Sequence, residues 1–249
     1  MDSRQDRVQV LGVQIDNVTM DEVVDRIHQA IKDKKPWQVN TLNAEILYQA
    51  QSDVALMQAI LRSHMVTPDG TGVVWAARYL GQPLKERVTG IDLLTRLLAL
   101  SPQRDYRLFF YGAKPTVLVK ALNNLKASYP GLSIVGSCHG YITEDEQPSL
   151  LQAIRKAKPD LLFVALGAPR QELWIEKNLP LLPPLVAIGV GGSLDVLSGE
   201  LKRAPQCIQS LRLEWLYRAL VQPSRLGRLL VLPRFIFRVI ASKSRDSIS

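Results

Sequence analysis

The chain has 249 residues, 47% of them hydrophobic, which suits one large domain, or a domain with an appendage, around a sizeable core. Its two cysteines, Cys138 and Cys207, are too few and too far apart for a disulfide framework or a zinc pattern, so a reducing compartment is expected. The formal charge of +8 is concentrated: positions 200–249 hold ten Lys and Arg against three acids, a net +7, which leaves +1 for the first 199 residues. That asymmetry points to an anionic partner surface, membrane or nucleic acid. The start of the chain lacks an apolar signal-peptide stretch, and no run of 18 apolar residues predicts a membrane-spanning helix.

Val8 to Val13 reads as a first strand. Thr19-Met20-Asp21-Glu22 is a capping box opening an amphipathic helix through Val23, Val24, Ile27, Ala30 and Ile31. Trp37 to Leu42 is a strand, and Asn43-Ala44-Glu45 begins a helix. A further helix covers Val54 to Arg62. Met65-Val66 then leads as a short strand into Pro68-Asp69-Gly70, with Thr71 as the expected cap of a helix from Gly72. Thr89-Gly90-Ile91-Asp92 starts another helix. From Tyr106 onward the pattern alternates regularly. Strands are predicted at Arg107–Tyr111, Leu132–Val135, Asp160–Leu166 and Leu185–Ile188, with helices from about Pro115, Thr143 and Pro169. Continuous apolar strands alternating with helices predict an α/β fold, a Rossmann-like parallel sheet with helices on both faces. The expected division is a core over 1–199 and a basic, amphipathic, helical C-terminal appendage over 200–249.

Several polar residues fall where such a sheet places ligands, at strand carboxyl ends. Asp69 sits in a stiff strand-to-helix turn, the setting of a general base and equally of an ordinary turn aspartate. Thr41 and Asn43 end the second predicted strand. Glycine turns at Gly112, Gly167 and Gly189–Gly192 follow three strands, where backbone N–H groups and helix N-termini hold diphosphates; they also simply permit tight turns. None fits the Gly-x-Gly-x-x-Gly or Walker pattern. Arg87, in a polar link before a helix, is a phosphate clamp or a solvated loop charge. Gln171 offers an amide to the crevice, and Trp174 reads as core. His28, His64 and His139 share no metal-ligand spacing, so no metal is expected.

Taken together, the chain resembles the WecG/TagA/CpsF glycosyltransferases from about Val8 to Arg228. The likeness rests on Thr41-Leu42-Asn43-Ala44-Glu45, Pro68-Asp69-Gly70-x-Gly72-Val73-Val74, Arg87-Val88-x-Gly90 and Tyr111-Gly112-Ala113. It continues through Gly167-x-Pro169-x-Gln171-Glu172-x-Trp174, Gly189-Val190-Gly191, Glu214-Trp215-x-x-Arg218 and Pro223-x-Arg225. Each motif is modest; their order and spacing make the match specific.

The resemblance implies an inverting, metal-independent transfer of a sugar from a UDP-sugar to an undecaprenyl-diphosphate-linked GlcNAc-type acceptor in cell-surface polysaccharide synthesis. N-acetylmannosamine is the sugar of the well-described activity, in wall teichoic acid. Asp69 would be the general base, with Thr41 beside it. Arg87 and Gln171 would bind the diphosphate or sugar and Tyr141 and Asp195 the uridine end, beside Asn43, Gly112, Gly167 and Gly191, which are substrate-binding candidates from their strand-end positions. No cofactor is implied, and the Asp-x-Asp of metal-dependent nucleotide-sugar enzymes is absent.

The tail around Leu226–Ile240 mixes apolar residues with arginines, which suits the inner face of the plasma membrane and a cytoplasmic, peripheral protein. Pro233 predicts an interruption of any helix there. A basic helix docked on another subunit is the alternative, which leaves a homo-oligomer open. Two other classes compete: a soluble Rossmann-like enzyme using another nucleotide cofactor, and a nucleic-acid-binding protein. The tail's aliphatic character, without aromatic–Gly patterning, argues against nucleic acid.

Overall fold

The computed structural model describes residues 6–205, 208, 216–217 and 231–246. The first predicted strand is in fact a hairpin, β1 (Arg7–Val10) and β2 (Val13–Asp16), paired antiparallel with Val10 opposite Val13. The turn between them is Leu11 (φ 47°) and Gly12 (φ 83°), two left-handed residues of the kind that closes a two-residue hairpin. Leucine is a rare choice there, so the turn carries no local signature. The Thr19 capping box forms as expected and opens α1 (Met20–Lys32).

Among the described residues, six strands make one parallel sheet: β3 (Trp37–Leu42), β4 (Met65–Pro68), β5 (Arg107–Gly112), β6 (Ser133–Cys138), β7 (Leu161–Ala165) and β8 (Val186–Gly189). Their order is β4-β3-β8-β7-β5-β6, with every neighbouring pair parallel. The expected α/β sheet with helices on both faces is therefore present. Period-2 alternation assigns the faces. Leu108 and Phe110 pack with α1, α5 (Gly90–Arg104) and α6 (Pro115–Ser128). Phe109 and Tyr111 pack oppositely with α7 (Gln147–Ala157) and α8 (Arg170–Asn178). At the β3–β4 end, that second face carries the hairpin, α2 (Ala44–Ala50), α3 (Val54–Leu61) and α4 (Thr71–Tyr79).

The C-terminal helix, Val231–Asp246, joins this last cluster and follows α9 (Ser193–Leu197) as α10 here. It packs on α2 and α4 and buries Phe235 and Val239 with the hairpin and helices of the core. Pro233 does not interrupt it. The proline falls in the first turn, where its missing N–H costs no intrahelical bond. Ile236, Phe237 and Ile240 remain exposed. No helix among the described residues is long and apolar enough to cross a membrane. The Glu214-Trp215-x-x-Arg218 and Pro223-x-Arg225 stretches lie outside the described residues.

Edge strand β4 is fixed by a buried carboxylate. Asp16, 1% exposed, accepts the Val66 N–H at 2.8 Å and the Arg7 Nε–H at 3.1 Å, and lies 3.5 Å from Arg26 Nη1. One side chain thus joins the hairpin, α1 and the strand that carries Asp69. Removing it leaves the buried Val66 N–H without its acceptor and takes a carboxylate from two partly exposed guanidinium groups. Asp16→Ala is expected to lower unfolding free energy by about 2–3 kcal/mol, read as a reduced urea midpoint. An unchanged midpoint would show that the staple contributes nothing.

Candidate active site

Parallel strands put all their carboxyl ends on one edge, and the loops after β3 and β8 part company there. β3 leads outward to β4. After β8 the chain turns into α9, which packs on α6 on the other side. That divergence leaves a crevice between neighbouring strands, the usual ligand position in such sheets.

Asp69 follows β4 directly. Its N–H donates to Leu42 O at 2.8 Å, and its Oδ2 accepts the Gly90 N–H at 3.0 Å. Gly90 is the first residue of α5, so the carboxylate meets the positive end of that helix. The next turn needs glycine: Gly70 has φ 86° and is itself the N-cap of α4, which begins at Thr71. Thr71 is therefore not the cap expected from the sequence; the left-handed glycine brings the helix in one residue earlier.

Thr41 comes from the far end of β3. It is buried, and its hydroxyl donates to Gly189 O at 3.0 Å, across to β8. Gly90 lies between the two candidate catalytic side chains. A methyl on it would be 3.2 Å from Thr41 Oγ1 and 3.6 Å from Asp69 Oδ2. Asn43 caps α2, its Oδ1 accepting the Ile46 N–H at 3.0 Å. Its Cβ is 3.6 Å from the position a Cβ on Gly70 would take, so it borders the Asp69 turn. Arg87 is half-buried in the link into α5, next to Val88, whose N–H donates to Pro68 O at 3.0 Å.

Gln171 does not offer its amide to the crevice. It is 3% exposed, its Oε1 accepts the Gly191 N–H at 2.9 Å, and its Nε2 donates to Glu172 Oε1 at 2.8 Å. A methyl on Gly189 would stand 2.7 Å from that Nε2, so the amide lies flat against the end of β8. Gln171 thus holds the Gly189–Gly191 turn, and through Gly189 O it fixes the acceptor of the Thr41 hydroxyl. Asp195 is half-buried in the first turn of α9.

The remaining candidates form a second group. Gly112 has φ 125°, and a Cβ there would lie 2.4 Å from Ala165 O, so only glycine lets β5 and β7 close together. Gly140 N–H donates to Ala113 O at 2.9 Å, tying the turn after β6 to the turn after β5. A methyl on Gly140 would also meet Leu166 at 2.9 Å, beside Gly167. Tyr141 is 66% exposed at this end. It follows the Gly140 turn, which folds back from edge strand β6 over the ends of β5 and β7, several strands away from β4. The crevice therefore has a carboxylate end (Asp69, Thr41, Asn43, Arg87) and a glycine-turn end (Gly112, Gly167, Tyr141), with Gly191 between. Among the described residues, no three His, Cys, Asp or Glu side chains are grouped to hold a metal ion.

Glu172, which the sequence shows only within the Gln171-Glu172-x-Trp174 motif, proves to be a buried acid. It is 3% exposed, and burial raises its carboxyl pKa above the ordinary 4.5, outweighing the Gln171 bond that lowers it. A carboxyl with a raised folded-state pKa binds its proton more tightly in the native state. Its stabilising contribution is full below the unfolded value near 4.5 and is lost as pH rises through the folded pKa. Glu172→Gln, which keeps a neutral acceptor for Gln171, is expected to gain stability relative to the parent as pH rises from 4.5. Denaturant melts at acid and neutral pH would reveal this; a pH-independent difference would contradict it.

The family model of the glycosyl transferase WecG/TagA/CpsF family matches residues 8–248. An N-acetylglucosaminyldiphosphoundecaprenol N-acetyl-beta-D-mannosaminyltransferase of Staphylococcus aureus is 35% identical over 241 residues, 96% of this chain and 94% of the relative. Enzymes of the same name from Bacillus spizizenii (39% over 200 residues, 80% of this chain and 77% of the relative) and Bacillus subtilis (37% over 202 residues, 81% and 78%) are similar too. With a match that runs nearly end to end and a sheet whose strand ends gather Thr41, Asp69 and the Gly191 turn, the chain belongs to the WecG/TagA/CpsF family of glycosyltransferases.

Proposed function

We propose that the protein is an inverting glycosyltransferase that moves N-acetylmannosamine, or a related sugar, from a UDP-sugar to a GlcNAc-type acceptor on undecaprenyl diphosphate. No metal is needed in this reading. The names of the relatives supply the acceptor and the sugar. The observation that carries the chemistry is Asp69, a carboxylate at the crevice whose Oδ2 is oriented by the first N–H of α5.

The acceptor hydroxyl gives its proton to Asp69 as its oxygen bonds to the anomeric carbon. The bond from that carbon to the UDP oxygen breaks on the opposite face, and UDP leaves with the electron pair, which inverts the centre. A positioned base contributes about 10²–10⁴-fold. Arg87, the helix N-termini and the backbone N–H groups near Gly112, Gly167 and Gly191 stabilise the diphosphate charge where a metal would otherwise do so. Thr41 and Asn43 bound the junction of donor and acceptor. Tyr141 and Asp195 take the uridine end. Gln171 acts behind the site, by holding the Gly191 turn.

The natural test is a screen of UDP-sugars, with and without EDTA, against a short-chain lipid-diphosphate GlcNAc acceptor. Asp69→Asn should lower kcat on the order of 10²-fold or more with little change in UDP affinity, while Arg87→Ala should weaken UDP binding as well. Near-normal turnover in folded Asp69→Asn protein removes Asp69 as the base. A strict need for Mg²⁺ or Mn²⁺ removes the metal-free reading.

A lipid-linked acceptor supports action at a membrane, in this reading the inner face of the plasma membrane. The +7 tail supports this, as do the exposed Ile236, Phe237 and Ile240 on a helix that also carries Arg234, Arg238 and Lys243. Because α10 also buries core residues, substitution of exposed arginines is a cleaner probe than truncation. Each basic residue at an anionic surface contributes about 1 kcal/mol, so neutralising Arg234 and Arg238 to Gln should weaken vesicle binding roughly 30-fold. Undiminished co-sedimentation with anionic vesicles would mean that this helix is not the contact.

A further inference from the structure

The residues after α9 run as a strap along the carboxyl edge of the sheet. Leu201 N–H donates to Asp195 O at 3.0 Å, Lys120 Nζ lies 3.0 Å from Glu200 Oε1, and Ala204 is buried. Between them Arg203 reaches α5: its Nη2 donates to Asp92 Oδ1 at 2.6 Å. The other carboxylate oxygen, Asp92 Oδ2, accepts the Thr89 hydroxyl at 2.6 Å, and Thr89 Oγ1 accepts the Asp92 N–H at 3.2 Å. Thr89 is the N-cap of α5 and is 5% exposed. The next residue is Gly90, whose N–H holds Asp69 Oδ2 at 3.0 Å.

Two carboxylates therefore share one helix start. The positive end of the helix favours both, but their like charges oppose each other. Arg203 offsets one of them, through its 2.6 Å bond to Asp92 Oδ1. Arg203, Asp92 and Thr89 thus form a chain of bonds that ends at the N-cap, the residue before Gly90. The Gly90 N–H lies in the peptide plane it shares with Thr89, so the bonds that hold the Thr89 cap also hold that donor.

We propose that Arg203 is a positioning residue for Asp69, acting through Asp92 and the Thr89–Gly90 turn, so that the root of the basic C-terminal segment is fastened to the general base. The proposal rests on the reading of Asp69 as the base. It adds that the C-terminal segment begins its course at the catalytic turn, and that its first arginine serves turnover rather than lipid or donor binding.

Full-length Arg203→Met, Arg203→Lys, Asp92→Asn and the Arg203→Met/Asp92→Asn double variant would be compared with Asp69→Asn. The readouts are kcat, KM for the UDP-sugar, UDP affinity by calorimetry and thermal melting. Arg203→Met and Asp92→Asn should each lower kcat about tenfold, the scale of a misplaced catalytic group, with UDP affinity unchanged. The double variant should be no worse than either single one, because both break the same link. Arg203→Lys should restore most of kcat. Parental kcat in Arg203→Met, or losses that multiply in the double variant, would overturn the proposal. Should Arg203→Met melt too low to assay, Asp92→Asn with and without Arg203→Lys decides on the same criteria. Normal turnover in Asp69→Asn overturns the base reading itself, and this proposal with it. An inactive Asp69→Asn beside a parental Arg203→Met overturns this proposal alone.

Discussion

The Gly90 N–H bonds the carboxylate of Asp69, and much of the surrounding structure bears on that bond. The strand that delivers Asp69 is a sheet edge with one flank open to be pulled out of line. Asp16 closes that flank through the Val66 N–H. Two residues on, Pro68 O receives the Val88 N–H, which sets the approach of the link into α5. The carboxylate is thus placed by backbone bonds and oriented by a helix start. Such groups need no reorganisation as charge moves during a reaction.

Behind the crevice runs a second set of bonds with the same purpose. Glu172, Gln171, the Gly191 N–H, Gly189 O and the Thr41 hydroxyl connect α8 to the end of β3 through the end of β8. None of these groups is well exposed. A buried polar network is costly if half-satisfied and rigid if complete, and here it is anchored on an acid that burial holds toward its neutral form. The site therefore has two differently built walls. One is charged, short-ranged and made from helix and strand ends. The other is a buried polar network that sets the position of a glycine turn.

The parts of this arrangement that could be read in the sequence are those with local causes. Thr19 and Thr89 announce helix starts because a cap and its partner lie three residues apart. Asp69 stands out because Pro68 and Gly70 leave only a turn between a strand and a helix. The continuous apolar strands reveal a parallel sheet because both faces must be covered. The remainder depends on partners distant in the chain. Asp16 and Val66 are 50 residues apart, Arg203 and Asp92 are 111 apart, and Thr41 and Gly189 are 148 apart. Gln171 looks like a ligand group because its amide follows a glycine turn; its neighbours in space, not in sequence, consume that amide. Leu11 hides a hairpin because a leucine stands where Asn or Gly would have signalled a left-handed turn.

The burial of Phe235 and Val239 against α2 and α4 bears on how the chain reaches its folded form. Synthesis runs from the N-terminus, and domains close as their pieces emerge. Here the hairpin and the first helices are made early, yet the cluster they belong to is completed by a helix from the last 20 residues of the chain. Until that helix arrives, the nascent protein carries an open apolar face next to the turn that holds Asp69. A molecule without that helix lacks the side chains that close the cluster beside the Asp69 turn, and a chain stopped before it exposes a sticky surface that chaperones and proteases recognise.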